Sequence, residues 1–328
     1  MHVLVYSSRR DEKTFLCQAF EGSGHSLQFE EGHLTERSAR LASGFDAVCV
    51  FVNDRVNAEV IEVLAQTGVR AIALRCAGYN NVDLDAARAR GIAVVRVPAY
   101  SPHAIAEHAV ALIMSLNRNI HKAYNRVRDG NFALDGLLGF DLYDKTVGVI
   151  GTGTIGAVFC RIMRGFGCRV LAYDLSPNDD CLELGVEYAA LAEVIRAADV
   201  LSLHCPLTPA TYHLIDAAAL ARMKAGAMLV NTSRGGLVDT AAVILALKSG
   251  QLGGLAIDVY EEEGDLFFED LSDRVIADDN LMRLTTFPNV IVTGHQAFLT
   301  REALTGIAAC TCRNLTQLEQ DGRCDNQL

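Results

Sequence analysis

The chain has no tryptophan, only 6 prolines among 328 residues, and no long uninterrupted apolar run. Its longest clean apolar stretch, Ala109–Leu116, is far shorter than the about 20 residues that a membrane-spanning helix requires. The N-terminus lacks the basic region and cleavage site of a signal peptide, and His2–Tyr6 is instead typical of a first β-strand. These absences predict a folded protein that does not cross a membrane.

Positive charge is also scarce, because 29 Lys and Arg residues are outnumbered by 40 Asp and Glu residues, which gives a formal net charge of −11. Such a charge argues against nucleic acids and anionic membranes as partners. A small anionic substrate stays compatible with it, because a single local arginine can outweigh the overall field.

The ten cysteines include no CxxC pair, the spacing most typical of zinc sites and redox-active disulfides. Cys49, Cys76 and Cys160 lie inside apolar runs, so we expect them to be small buried hydrophobic side chains. We therefore predict neither a disulfide framework nor a metal site. The composition favours a reducing, cytoplasmic environment.

What the chain does contain is two successive series of alternating apolar strands and helices, the pattern of α/β domains with parallel sheets. In the first hundred residues the predicted strands are 3–7, 46–52, 70–74 and 92–95, and the predicted helices are 14–20, 58–66 and 84–90. In the second series the predicted strands are 147–150, 169–173, 200–204, 228–231, 255–259 and 290–293. The second series is enough for a six-stranded, doubly wound sheet.

A glycine-rich turn joins the first strand of the second series to the next helix. Gly151 permits a tight turn, Gly153 lets a pyrophosphate approach the backbone, and Gly156 lets helix and strand pack closely. The following strand ends at Asp174, whose carboxylate is placed to accept hydrogen bonds from an adenosine ribose and to repel a 2′-phosphate. The turn therefore predicts NAD rather than NADP, with Thr154 and Ile155 also at the cofactor.

Two domains are expected, because the length exceeds a single typical core. We predict that residues 101–298 form a Rossmann NAD-binding domain. It is inserted into a smaller flavodoxin-like substrate domain of residues 1–100 and 299–328, onto which the last helix, 301–318, folds back. A helix at 104–120 is apolar on more than one face, so it is either an internal core helix or a subunit interface. The acidic stretch 261–279 is interpreted as a structured excursion near the site.

Polar clusters follow three of the later strands, where ligands bind in open α/β sheets. Arg234 follows an apolar strand and precedes two glycines, and its planar guanidinium suits a carboxylate. His295 is a natural proton donor or acceptor near neutral pH. A third cluster begins at His204. Either Arg234 or His295 alone would more often be a structural residue. Because both flank one nucleotide site, we interpret them as functional residues of an enzyme.

Several segments resemble those of the D-isomer-specific 2-hydroxyacid dehydrogenases. They are residues 75–83, 97–102, 151–156, 231–235, 258–263 and 294–298. Within that family, residues 295–300 and the excursion segment 265–270 are most similar to bacterial fermentative D-lactate dehydrogenases. The resemblance implies reversible, NADH-dependent reduction of pyruvate to D-lactate.

The resemblance also implies roles for individual residues. Arg234 would bind and polarise the 2-oxo acid, His295 would donate the proton, and Glu263 would orient His295. Further cofactor contacts are implied at Cys205, Pro206, Thr232 and Asp258, and substrate contacts at Ala77, Gly78, Tyr100 and Phe298. Glu261 and Glu262 are interpreted as solvated acids.

Two other functions stay open at this point. A different substrate, such as glyoxylate, hydroxypyruvate or a larger 2-oxo acid, would use the same chemistry. A NAD-sensing, corepressor-like binding protein would use the same fold. The apolar 104–120 helix and the family together suggest a homodimer or homotetramer.

Overall fold

The computed structural model describes residues 1–328, apart from the side chain of Asp265. The chain divides into two compact units, one formed by Met1–Ser101 with Leu299–Leu328 and the other by Pro102–Phe298. The strands are β1 His2–Val5, β2 Ser26–Phe29, β3 Ala47–Val50, β4 Ala71–Leu74, β5 Ala93–Arg96, β6 Thr146–Ile150, β7 Arg169–Tyr173, β8 Glu187–Tyr188, β9 Val200–Leu203, β10 Ala227–Asn231, β11 Leu252–Ile257 and β12 Val290–Val292. The helices are α1 Arg10–Phe20, α2 Ala58–Thr67, α3 Leu84–Ala89, α4 Pro102–Asn117, α5 Ile120–Arg128, α6 Thr154–Gly165, α7 Asp179–Glu183, α8 Leu191–Ala197, α9 Ala217–Arg222, α10 Thr240–Ser249, α11 Asp279–Thr285 and α12 Arg301–Asp321.

The first unit contains a five-stranded parallel sheet in the order β2-β1-β3-β4-β5. This is the flavodoxin-like order. The C-terminal helix α12 packs against α1 and β4, and its buried face includes Ala308, Leu315 and Leu318. The side chain of Thr300 caps its first turn by accepting a hydrogen bond from the Ala303 N–H.

The second unit contains a seven-stranded parallel sheet in the order β12-β11-β10-β9-β6-β7-β8. From β6 the chain builds outward in one direction through β7 and β8 and in the other through β9 to β12. This is the Rossmann order with one additional edge strand, and its switch point lies between β6 and β9. The predicted α/β class with two doubly wound parallel sheets is therefore confirmed.

Two strands were missed by the sequence prediction. The predicted six-stranded sheet has a seventh strand, β8, which is only two residues long and too short to show a period. In the first unit, β2 at Ser26–Phe29 alternates between exposed and partly buried positions at the edge of the sheet. Edge strands lack the continuous apolar run that identified the central ones.

The predicted single helix at 104–120 is wrong at its C-terminal end. Helix α4 ends at Asn117, and α5 starts at Ile120 after Asn119 adopts a left-handed backbone conformation with a φ of 50°. Helix α4 packs against α6 and β11, with Ala109 and Ile113 fully buried. Its apolar faces are thus covered within the second unit, as expected of an internal core helix.

Cys49, Cys76 and Cys160 are buried, as predicted, and all ten cysteines are free thiols. Among the described residues, no helix is both long enough and apolar enough to span a bilayer.

Candidate active site

The glycine turn after β6 is shaped by close backbone contacts. Gly151 has a φ of +95°, and a Cβ at this position would lie 2.6 Å from the backbone nitrogen of Cys205. A Cβ on Gly156 would overlap the carbonyl oxygen of Gly151. A side chain at either position would therefore force apart the turn, α6 and the end of β9.

Gly153 differs from these two glycines, because a Cβ there would face open space, with no atom within 4 Å. It occupies the N-cap of α6 and has no side chain with which to cap the first helical turn. Backbone N–H groups at a helix N-terminus attract phosphate, and the open space lets it approach. The turn therefore fits the pyrophosphate of a dinucleotide.

Asp174 directly follows β7, close to the glycine turn. One of its carboxylate oxygens accepts hydrogen bonds from the N–H of Thr152 at 2.6 Å and from the Thr152 hydroxyl at 3.2 Å. The other accepts a hydrogen bond from the Ser176 N–H at 3.1 Å. Burial alone would raise the pKa of Asp174, but these hydrogen bonds outweigh it and lower the pKa. The carboxylate is therefore charged at neutral pH, as a ribose acceptor must be.

Thr232, after β10, supplies a second sign of a ligand. Its hydroxyl oxygen is buried and has no hydrogen-bond partner, one of five such side-chain atoms among the described residues. Cys205 is buried nearby in the fold, where its carbonyl oxygen accepts a hydrogen bond from the Ser233 hydroxyl at 2.7 Å. A buried polar atom without a partner is unfavourable, and a bound cofactor would provide one.

Asp258 follows β11 and is fully buried. Its carboxylate accepts hydrogen bonds from the Thr293 hydroxyl and from the N–H groups of Gln296 at 2.9 Å and Ala297 at 2.8 Å. Burial would raise the pKa of Asp258, but hydrogen bonds, first that from His108, lower it. The side chain predicted to contact the cofactor thus also holds the segment that carries His295.

His295 and Glu263 form a direct pair. The imidazole Nδ1 lies 2.8 Å from a Glu263 carboxylate oxygen, and the other oxygen accepts a hydrogen bond from the Tyr260 N–H at 2.9 Å. His295 has a φ of 51°, and its own N–H donates to the Asp258 carbonyl oxygen at 2.7 Å. The ring of Phe268, from the acidic excursion, lies 5.7 Å from the imidazole. His295 and Glu263 are therefore each fixed by their mutual contact and by at least one further contact with a neighbouring residue.

Arg234 lies in a loop that β10 positions. The side chain of Asn231 donates to the Arg234 carbonyl oxygen at 2.8 Å and accepts from the Ser233 N–H at 3.0 Å. A Cβ on the next residue, Gly235, would overlap the peptide that joins Tyr260 to Glu261. The Arg234 loop is therefore in backbone contact with the turn that carries Glu263.

The residues predicted to bind substrate from the first unit lie after β4 and β5. The carbonyl oxygen of Ala77 accepts a hydrogen bond from the Arg96 guanidinium at 2.9 Å, and that of Gly78 accepts from the Cys76 thiol at 3.2 Å. Tyr100 lies against Gly306 of α12. Phe298 is the buried last residue of the second unit.

Sequence reasoning missed two histidines. His108 of α4 has its Nε2 atom 3.2 Å from the Thr293 hydroxyl and 3.4 Å from Asp258. His213 pairs with Glu261 at 2.9 Å, so the interpretation of Glu261 as a solvated acid was wrong. His108 lies in an apolar helix and His213 in an irregular loop. In neither place does the sequence pattern indicate that the histidine contacts a polar partner.

Comparisons with known proteins support the same interpretation. The sequence model of the D-isomer specific 2-hydroxyacid dehydrogenase, NAD binding domain, matches residues 110–297. This chain belongs to the D-isomer specific 2-hydroxyacid dehydrogenases. The match confirms the predicted family, the NAD cofactor and the enzyme class.

Individual members of the family are similar over their whole length. The D-lactate dehydrogenase of Escherichia coli (strain K12) is 55% identical over 328 residues, which is 100% of both chains. The apo-structure of the Escherichia coli D-lactate dehydrogenase superposes with a TM-score of 0.92, at 52% identity and 100% coverage of both chains. The pyruvate reductase of Chlamydomonas reinhardtii superposes with a TM-score of 0.95, at 45% identity, covering 99% of this chain and 98% of that chain.

Proposed function

We propose that this 2-hydroxyacid dehydrogenase is a NAD-dependent D-lactate dehydrogenase that reversibly reduces pyruvate to D-lactate. The observation that carries the proposal is the His295–Glu263 pair, at 2.8 Å, in a chain that is 55% identical along its full length to a D-lactate dehydrogenase. An imidazole held by a carboxylate is suited to proton transfer near neutral pH.

In this mechanism His295 donates a proton to the substrate carbonyl oxygen. Because Glu263 contacts Nδ1, the proton for transfer is held at Nε2, the ring nitrogen that points away from the pair. Glu263 sets the ring orientation by accepting the Nδ1–H hydrogen bond. In the reverse direction Nε2 accepts the proton from the hydroxyl of D-lactate.

Arg234 binds the pyruvate carboxylate and polarises the ketone, favouring the negative charge that develops on the carbonyl oxygen. NADH, when bound at the glycine turn, supplies the hydride. The residues that would hold NADH are Gly151, Gly153, Thr154, Ile155, Gly156, Asp174, Cys205, Pro206, Thr232 and Asp258. The substrate roles of Ala77, Gly78 and Tyr100, and of Phe298 as an apolar wall for a methyl group, stay predictions.

The decisive test compares purified wild-type protein with His295→Ala on a panel of 2-oxo acids with NADH, with the chirality of each product determined. We expect D-lactate from pyruvate, and a loss of turnover by a factor on the order of 10² to 10⁴ in the variant. NADH binding, followed by nucleotide fluorescence, should be unchanged. His2→Ala, at an exposed histidine of the first unit, is the control.

Three outcomes would contradict the proposal or part of it. A clear preference for glyoxylate, hydroxypyruvate or a larger 2-oxo acid would change the substrate and keep the chemistry. Tight NADH binding without turnover of any 2-oxo acid would instead favour a NAD-sensing binding protein. Near-normal turnover by His295→Ala would remove its role as proton donor.

We also propose that the protein works in the cytoplasm as a homodimer or homotetramer. Ten free cysteines favour a reducing compartment. A group of exposed large apolar side chains supports self-association, since patches of this kind mark interaction sites. We call it the 120–143 patch, and its members are Ile120, Tyr124, Val127, Phe132, Leu134, Leu138, Phe140 and Tyr143.

A further inference from the structure

We propose that His213 and Glu261 are positioning residues for the reaction, and that their pair holds the Arg234 loop and the Glu263 turn in register. The inference rests on the proposed function, because it assigns the pair to the substrate-binding and proton-donating groups of the same site. Neither side chain is proposed to touch substrate or cofactor.

The pair is a charge-assisted hydrogen bond with further contacts on both partners. His213 Nε2 lies 2.9 Å from one carboxylate oxygen of Glu261, and the other oxygen accepts a hydrogen bond from the Thr240 N–H at 3.3 Å. The ring of Tyr212 stacks on the imidazole, with centroids 4.0 Å apart and planes 15° apart. Each side chain is thus restrained by more than its partner.

The backbone of His213 reaches the Arg234 loop. Its N–H donates to the carbonyl oxygen of Gly236 at 2.8 Å, two residues after Arg234. The ring of the same residue binds Glu261, two residues before Glu263. His213 therefore bridges the loop that carries the substrate-binding guanidinium and the turn that carries the partner of His295.

The two bridged segments touch each other directly at one further point. A Cβ on Gly235 would overlap the Tyr260–Glu261 peptide, so the two backbones are already as close as glycine allows. Contact alone permits one segment to slide along the other. The His213–Glu261 hydrogen bond removes that freedom, and misplacement of reacting groups by about 1 Å can cost a hundredfold in rate.

If the His213–Glu261 pair only stabilised the fold, its removal would lower the unfolding temperature. If the pair positions catalytic groups, its removal lowers activity instead. Both side chains are partly exposed, at 29% for His213 and 19% for Glu261, and such pairs add little to global stability. Removal of the pair should therefore leave thermal unfolding nearly unchanged while catalysis falls.

The experiment measures kcat and KM for pyruvate, NADH binding, and thermal unfolding in His213→Ala, Glu261→Ala and the double variant. We expect kcat/KM to fall about tenfold or more in each single variant. The double variant should be no worse than the poorer single one, because both remove the same interaction. Glu261→Gln, which keeps one acceptor oxygen for the His213 ring and loses the acceptor of the Thr240 N–H, should recover part of the loss. The matched control is Glu262→Ala, an exposed acid in the same turn.

Binding of oxamate, an unreactive amide analogue of pyruvate, to the enzyme with NADH gives a readout independent of turnover. It should weaken in Glu261→Ala and recover in part in Glu261→Gln, which keeps the acceptor for the His213 ring. Equal kcat/KM and oxamate binding in Glu261→Ala and Glu262→Ala would overturn the inference. So would additive losses in the double variant, or a loss of activity that only follows the unfolding temperature.

Failure of the proposed function is distinguishable from failure of this inference. If the wild-type protein reduces another 2-oxo acid in place of pyruvate, the same variants are compared on that acid. If the wild type reduces pyruvate and the variants match it, the positioning role alone is wrong.

Discussion

Among single residues, the three glycines of the 151–156 turn have different physical roles. Gly151 and Gly156 are required by contacts inside the fold, because a Cβ at either would collide with backbone atoms. Gly153 has no such neighbour, and we propose that its lack of a side chain leaves room for the ligand. The sequence motif requires glycine at all three positions, but only the structure shows that the physical reason differs between them.

Gly153→Ala tests this distinction. The backbone at Gly153 is extended, with a φ of −62°, and accepts alanine, so thermal unfolding should be close to that of the wild type. The added methyl group would occupy the approach of the pyrophosphate, and we expect NADH affinity to fall about tenfold or more, an effect of at least 1.4 kcal/mol. Fluorescence titration with NADH measures it.

Gly165→Ala is the matched control, since a Cβ there also meets no atom within 4 Å and lies at the far end of the same helix. It should leave NADH binding unchanged and stabilise the fold by about 0.4–1 kcal/mol. Equal NADH affinity in the two variants would show that Gly153 does not face the cofactor.

The resemblance to the family, and not the residue types alone, predicted that Glu263 and His295 act together. Their contact at 2.8 Å agrees with that prediction. The same resemblance was insufficient for Glu261, because its partner His213 is 48 residues away and in an irregular loop. The sequence around an acidic residue does not reveal which residue of a distant loop will pair with its carboxylate.

At the scale of secondary-structure elements, the ends of the parallel strands decide where polar residues can sit. The ends of β9, β10 and β11 carry His204, Asn231 and Asp258, each of which is held by hydrogen bonds. His204 is partly buried at the end of β9. It bonds the Ser202 hydroxyl at 2.9 Å and packs against the Phe159 ring with centroids 4.7 Å apart.

Burial lowers the pKa of His204 to about 4, from an ordinary value of 6.5. Between pH 6.5 and 4 the unfolded chain binds a proton at this residue that the folded chain does not. The contribution of His204 to stability is therefore fully present above pH 6.5 and is lost as pH falls through this window, by about 1.4 kcal/mol per pH unit.

His204→Gln should flatten this part of the pH dependence. The glutamine does not titrate, so the free energy of unfolding in urea at pH 7, 6 and 5 should fall less steeply than in the wild type, even if its value at pH 7 is lower. His2→Ala, at an exposed histidine, is the control. Parallel slopes for wild type and His204→Gln would show that His204 titrates normally in the folded chain.

Most elements were predictable because their apolar periods are local. Buried parallel strands such as β6, β7 and β10 are continuous apolar runs, and helices are capped by side chains nearby in sequence, as Asp239 caps α10. The short edge strand β8 and the break between α4 and α5 were not predictable. Pairing with a neighbouring strand defines the first, and a single left-handed residue, Asn119, defines the second.

At the scale of the whole molecule, eight exposed large apolar side chains lie close together in sequence, in the 120–143 patch. Helix α4 is buried inside the second unit, which favours the internal core helix over the subunit interface as the interpretation of the 104–120 segment. The self-association proposed above would then use the 120–143 patch. Leu138 and Leu134 are 93% and 82% exposed, and with Phe140 they line an open groove of about 610 Å³. Contiguous exposed apolar side chains are unfavourable in water unless another surface covers them.

Leu134→Glu with Leu138→Glu tests whether a second copy covers the patch. We expect size-exclusion chromatography with light scattering to give a multiple of 35.4 kDa for the wild type and a shift toward 35.4 kDa for the double variant. Each charge would have to be desolvated in the interface. Val275→Glu, at a side chain that is 96% exposed elsewhere in the same unit, is the control. An unchanged mass for the patch variant would exclude the patch as the interface.

The sequence by itself determined the α/β class, the cofactor and the enzyme family, because these depend on local periods, on glycines at fixed spacing and on short motifs. Tertiary structure alone decided which polar residues meet. Asp258 holds the segment of His295, and His213 joins Glu261 to the loop of Arg234. These contacts connect residues that are 23 to 48 positions apart. The side-by-side pairing of parallel strands, which no single segment encodes, brings them together.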